Sequence, residues 1–378
     1  MKSETNNTTR MGMLVALTAI AALCMAPPVR AGGGSFYATV TNATQLIADI
    51  NYANTNGGTF TINLQPNTTF DLLTVNGSDA FGDEMLPIIG VTNAVNLTIL
   101  GNGDTIQRDV TTSEERLLEV AEGSSLTLDQ MTLQNGYAYA FGSSSYSDAF
   151  NGGAIFNFGT LVISNCTLSG NTVYPYLDDY DGTTTGGKGG AICNWGGTVI
   201  ISDSFLSNNA ATGAGFTGGG AIYNNSGTVT ISHSTISGNS ADYYDDDGEA
   251  YGFGGGIYNS GTVTVENSSS ITGNDAAYLG PDVDNLATLY LDGTSTIGVL
   301  DGNSAIGLSP VLSINSWSST AHQLVLFWST NYTDCTLQSS TDLSSTNWTD
   351  CASPTVSGAS FVVTNSMSAG AQFFRLKR

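Results

Sequence analysis

The chain has 378 residues, with 32 acidic against nine basic side chains and a formal charge of −23 at pH 7. A surface of that sign repels nucleic acid and anionic membranes, so neither is an expected partner. Charged residues are only 11% of the sequence while glycine fills 46 positions, so the surface should be mostly hydroxyl and amide, as in extracellular β proteins.

Residues 1 to 31 read as a secretory signal. Lys2 and Arg10 make a basic start, an apolar run extends from Met11 to Met25, and Val29-Arg30-Ala31 precedes a glycine triplet. Its removal takes away three of the nine basic residues and one of the 32 acidic ones, which leaves −25. Cys24 follows Leu23 where a lipid-attachment signal wants a small residue, so lipidation is not expected. No later stretch reaches the roughly 20 apolar residues of a membrane helix. The expected product is a monomeric secreted protein, extracellular or held at the outer cell surface.

Thr44 to Asn54 places Leu46, Ile47 and Ile50 on one helical face, with Thr44 as the expected N-cap. Such a helix suits a lid over one end of a repeat array, with Phe60 to Asp71 as the first, irregular coil. The array itself is visible as internal repeats. The block Gly-Gly-Ala-Ile-(aromatic or Cys)-Asn begins at Gly152, Gly189 and Gly219, and Gly254 repeats it with glycine for alanine, at spacings of 37, 30 and 35 residues. A Gly-Thr-φ-x-φ strand follows each block, where φ is apolar, and then a Ser-rich strand ending in Asn.

Period-two alternation points Val229 and Ile231 one way and Thr228 and Thr230 the other. Matching pairs are Leu161/Ile163, Val199/Ile201 and Val263/Val265, with degenerate copies at Leu97/Ile99, Leu126/Leu128 and Leu289/Leu291. No copy can bury its apolar face alone, whereas stacked copies can, by setting each apolar residue over its counterpart in the next coil. Two further columns are expected: Leu133, Leu168, Leu206, Ile236 and Ile271, and Ile155, Ile192, Ile222 and Ile257. Asn171, Asn209, Asn239 and Asn274 should form an amide ladder bridging successive turns. The expected class is all-β: a right-handed parallel β-helix from residue 32 to 307, with a short N-terminal capping helix.

After residue 307 the pattern changes. Gln323 to Trp328, Phe361 to Val363 and Phe373 to Leu376 alternate as strands of a small C-terminal antiparallel β-sandwich spanning 308–378. Cys335 and Cys351 are candidates for a disulfide within it, whereas Cys166 and Cys193 occupy different coil positions and should be buried thiols.

The long insertions run from Gly136 to Asn151, Thr172 to Lys188, Ala210 to Gly218 and Ser240 to Phe253, all leaving from one corner of successive coils. They carry nine of the 16 tyrosines and the densest acid. Tyr174, Tyr176, Tyr180, Tyr243, Tyr244 and Tyr251 are the candidate ligand-binding residues, since tyrosine rings stack on sugar or peptide surfaces. Asp179-x-Asp181-Gly182 and Asp245-x-Asp247-Gly248 have the carboxylate spacing and turn glycine of half a calcium loop, so Asp179, Asp181, Asp245 and Asp247 are candidate Ca²⁺ ligands. The competing reading is that exposed loops of an acidic exported protein are Asp- and Gly-rich without binding anything.

Gly-Gly-Ala-Ile followed within a coil by Phe205-Leu206-Ser207-Asn208 resembles the repeats of the chlamydial polymorphic outer-membrane protein family, over about residues 117 to 275. The resemblance implies a β-helical adhesin, although the C-terminal membrane barrel that family uses for export has no counterpart here. Pectate lyases and polygalacturonases also use such a solenoid, so a polysaccharide-active enzyme is the alternative. A lyase needs a cation to stabilise the enolate and a base to take the proton. The solenoid offers only Arg108, Arg116 and Lys188, with the two arginines read as solvated ion-pair partners. His233 sits at a strand junction and reads as structural. No catalytic residue is assigned. The function expected is adhesion or extracellular binding of a polysaccharide or a host or neighbouring cell surface, with an inert stalk as the second alternative.

Overall fold

The computed structural model describes residues 39–140, 151–175, 186–213, 215–242, 251–307, 312–318, 323–329, 335–342, 347–357, 360–366 and 372–377. The expected signal lies outside them. From Gly58 to Gly307 the described chain winds as a parallel β-helix. Its register follows the repeat: Leu126, Leu161, Val199, Val229, Val263 and Leu289 pair in sequence, as do Leu128, Ile163, Ile201, Ile231, Val265 and Leu291. The second strand stacks Leu133, Leu168, Leu206, Ile236 and Ile271. The Gly-Gly-Ala-Ile strands stack Ile155, Ile192, Ile222 and Ile257, continued by Val283. These residues form one continuous core, each contributing roughly 1.5–3 kcal/mol of burial before chain entropy opposes it.

Two corners explain the composition. Between the paired strands of each coil, one residue in the left-handed region turns the chain: Asn165, Asp203 and His233 have φ of 52°, 49° and 47°. Polar side chains tolerate that conformation best, and His233 is an exposed corner residue of this kind. At the Gly-Gly corner there is no room for a side chain, because a Cβ on Gly190 would lie 2.2 Å from the Gly220 carbonyl oxygen.

The expected asparagine ladder is present. The amides of Asn171, Asn209 and Asn239 donate to the next side-chain oxygen at 2.9, 2.9 and 2.8 Å, and that oxygen also accepts their backbone N–H. Asp282 closes the ladder, accepting both donors of Asn274 at 2.9 Å. A second ladder, which the repeat motif contains but the sequence reading did not assign, runs through Asn157, Asn194, Asn224, Asn259 and Asn285 at 2.8–2.9 Å. Every member is buried. Neutral amides suit this task because each carries both donors and acceptors.

The lid is the helix Ala43–Asn56, with Leu46 and Ile50 fully buried. Its cap is Asn42, whose side-chain oxygen accepts the Gln45 N–H at 3.0 Å, rather than Thr44, which lies inside the first turn. Among the described residues no helix is long and apolar enough to cross a membrane.

The insertions need a second correction, since their first residues are not loop. Tyr137–Ala140, Thr172–Pro175, Ala210–Thr212, Ser240–Asp242 and Asp275–Ala276 form a third parallel sheet. One of its faces buries Ala138, Val173, Ala211 and Ala241. Small side chains there let the returning chain pack close: a Cβ on Gly187 would lie 2.9 Å from Val173 Cγ1.

Beyond residue 312 the described strands form two antiparallel sheets, one of Ser313–Ser318, Gln323–Ser329, Ser360–Ser366 and Thr355–Ser357, the other of Thr349–Asp350, Thr336–Ser340 and Phe373–Lys377. They share a core containing Leu324, Leu326, Trp328, Leu337 and Val363. Cys335 and Cys351 both face it. Leu337 accepts the Cys351 N–H at 2.8 Å.

Candidate functional site

The outer face of the Gly-Gly-Ala-Ile sheet is a second core. Alternation turns Glu119, Phe156, Cys193, Tyr223, Tyr258 and Asp284 outward in register, yet all six are buried. Returning segments and the hairpin formed by Gly77–Asp79 and Gly82–Glu84 cover them. Tyr223 and Tyr258 stack at 4.9 Å and 6°, and Phe216 meets Tyr258 edge-on at 5.1 Å. Lys188 lies with Nζ 5.4 Å from the Trp195 ring and 5.9 Å from the Tyr223 ring, a cation held over aromatic faces. Burial lifts the Tyr258 hydroxyl to about 12. The signal in the sequence was the block itself, where an aromatic residue sits between an inward Ile and a buried Asn.

Of the six tyrosines read as ligand-binding, Tyr174 and Tyr251 are described, and Tyr176, Tyr180, Tyr243 and Tyr244 lie outside the described residues. So do the four candidate calcium ligands Asp179, Asp181, Asp245 and Asp247. Tyr174 is 41% exposed and stacks on Tyr139 at 6.2 Å and 16°, its register partner in the third sheet. Tyr139 is in turn 6.2 Å from Tyr137, and the Arg108 guanidinium stands 5.5 Å from the Tyr137 ring. The result is a row of three rings on the open face of the sheet. Tyr251 belongs to a different cluster, 6.3 Å from Tyr278, with Phe253 edge-on to Tyr278 at 5.5 Å and stacked on Phe216 at 4.9 Å. Tyr251, Tyr278 and Phe216 are all exposed.

The arginines are buried, contrary to the solvated role read from sequence. Arg108 donates through Nε to the Asn135 carbonyl at 2.9 Å. Arg116, 1% exposed, has Nε 3.6 Å from Glu84 and Nη1 3.8 Å from Glu119, donates through Nη2 to the Phe81 carbonyl and lies 5.0 Å from the Phe156 ring. Arg116 sits in a partly apolar environment because the hairpin closes over it, a contact between segments 35 residues apart. Desolvation pushes the Glu84 carboxyl up to about 9 against the attraction of Arg116, and it raises Glu119 to about 7 in the same way. Ionised carboxylates are costly in such surroundings.

A shallow groove of about 490 Å³ runs along another corner, lined by Gly58, Asn96, Ser124, Gly159, Gly197 and Thr198 among others. It spans several coils and presents hydroxyl, amide and backbone groups, with Phe158 at its edge. No protein-family model, curated protein or solved structure matches the chain.

Proposed function

We propose that this is an extracellular glycan-binding protein, an adhesin or surface-binding module, whose ligand lies on the aromatic rows beside the third sheet. The reading rests on the Tyr137, Tyr139 and Tyr174 row. Tyr139 and Tyr174 are register partners in successive coils, Tyr137 extends the row along the same strand, and the row stays open to solvent at Tyr174 although the same chain buries Tyr223 and Tyr258. Sugar rings have flat apolar faces and polar rims, which suit tyrosine in the same way that protein aromatic pairs do. The strongly acidic surface favours a neutral or cationic glycan over a polyuronate. The likeness of the repeats to the polymorphic outer-membrane proteins accords with adhesion at a cell surface. Asp179, Asp181, Asp245 and Asp247 are the proposed calcium ligands beside the loop tyrosines in sequence.

A glycan array probed with the mature chain, followed by titration calorimetry on its best ligand, tests this reading. Tyr139→Ala with Tyr174→Ala should weaken binding about tenfold or more, while the unfolding midpoint stays near that of the wild type. Absence of glycan binding, or binding indifferent to both tyrosine clusters, would leave the stalk reading in its place.

A further inference from the structure

We propose that Asp79, Glu84 and Glu119 form a divalent-cation site that fastens the Gly77–Glu84 hairpin to the first strand of the Gly-Gly-Ala-Ile sheet. One oxygen from each side chain lies within 4.8 Å of the others, a span that a single ion bridges with ligands at roughly 2.3–2.6 Å. Glu84 is 0% exposed and neither of its carboxylate oxygens has a hydrogen-bond partner, and the same holds for Glu119 Oε2, on a residue 2% exposed. Buried carboxylate oxygens are rarely left so, because the lost hydration needs a replacement.

The charge count leads to the same conclusion. Arg116 is the guanidinium facing these groups, and its contacts of 3.6 and 3.8 Å to Glu84 and Glu119 are long. With Asp79, Glu84 and Glu119 all ionised, that one guanidinium leaves two negative charges among them, which a divalent ion would balance in place of the protons. Asp79 is exposed and held in place, its Oδ1 accepting the Phe81 N–H at 2.6 Å, so its other oxygen offers an entry path and a third ligand. Gly77, paired with Glu84 across the hairpin, keeps the space open, since a Cβ there would lie 2.8 Å from Glu84 Oε2. An all-oxygen donor set with an open side selects a hard ion, Ca²⁺ ahead of Mn²⁺ or Mg²⁺. The site is separate from the Asp-Gly loops proposed above.

The test uses the mature chain stripped with chelator, melted and titrated with CaCl₂, MgCl₂ and MnCl₂, beside Asp79→Asn, Glu119→Gln and the loop variant Asp245→Asn/Asp247→Asn. The expected result is a calcium-dependent rise in melting temperature with a dissociation constant of about 10⁻⁴–10⁻³ M. That affinity should fall at least about tenfold in Asp79→Asn and Glu119→Gln and persist in the loop variant. Asp79 is exposed, so its variant folds whatever the fate of the others. No shift with any of the three ions overturns the site, which is then a carboxyl pair sharing a proton. A shift unchanged in Asp79→Asn and Glu119→Gln, or abolished by the loop variant alone, also overturns it.

Discussion

Asn171, Asn209 and Asn239 in the middle coils are buried as deeply as Glu84, Arg116 and Glu119 at the start of the array, yet the two groups meet burial differently. Each asparagine finds its acceptor in the coil ahead and serves as acceptor for the coil behind. The charged cluster has no next copy: Glu84 comes from one hairpin and Glu119 from one strand, and three of their buried carboxylate oxygens lack hydrogen bonds. Repetition makes burial of neutral polar groups cheap because one satisfied geometry propagates. A singular cluster must find its compensation in protons or ions.

The contrast can be broken first at the corner on which the stacking depends. Gly190→Ala sets a Cβ against the Gly220 carbonyl at 2.2 Å, and should cost more than about 4 kcal/mol in urea unfolding or abolish folding. Asn209→Ala removes the acceptor for both donors of Asn171 and two donated bonds of its own, so a loss of about 3 kcal/mol is expected by the same measurement. A loss under about 1 kcal/mol would mean that water replaces the ladder and that repetition matters less than argued.

The singular cluster should respond to pH instead. Glu84 keeps its proton in the folded state up to about 9, against an ordinary value of 4.5, and Glu119 up to about 7. The native state therefore holds protons that the unfolded chain has released. The stabilisation is full below the ordinary carboxylate range and is lost as pH rises through the raised values. In chelator, the melting temperature should fall steadily from about pH 5 to about pH 9, and Glu84→Gln should flatten most of that slope. Asn209→Ala, by comparison, should shift the whole curve without changing its shape. The smallest effect on stability belongs to the open tyrosine row, where Tyr174→Ala should alter unfolding by less than about 0.5 kcal/mol while weakening any glycan.

The repeat was legible because its period is imposed by covalent geometry. Alternation along a strand fixed which of Val229, Thr230 and Ile231 face inward, and recurrence of the Gly-Gly block fixed their partners. The insertions were harder to read. Ala211 and Ala241 look like loop residues, and only the segment returning over them shows why small side chains are needed there. Arg116 between Glu115 and Glu119 looks like a solvated charge for the same reason.

The sequence by itself therefore determined the solenoid, its aliphatic columns and one amide ladder, because all of these follow from local period and self-similarity. Only the tertiary structure decided that the Gly-Gly-Ala-Ile sheet buries both faces, that Tyr174 stays open while Tyr258 is sealed, and that Asp79, Glu84 and Glu119 converge. These depend on non-repeating segments folding over the repeat, and side-chain burial of that kind has no period to read.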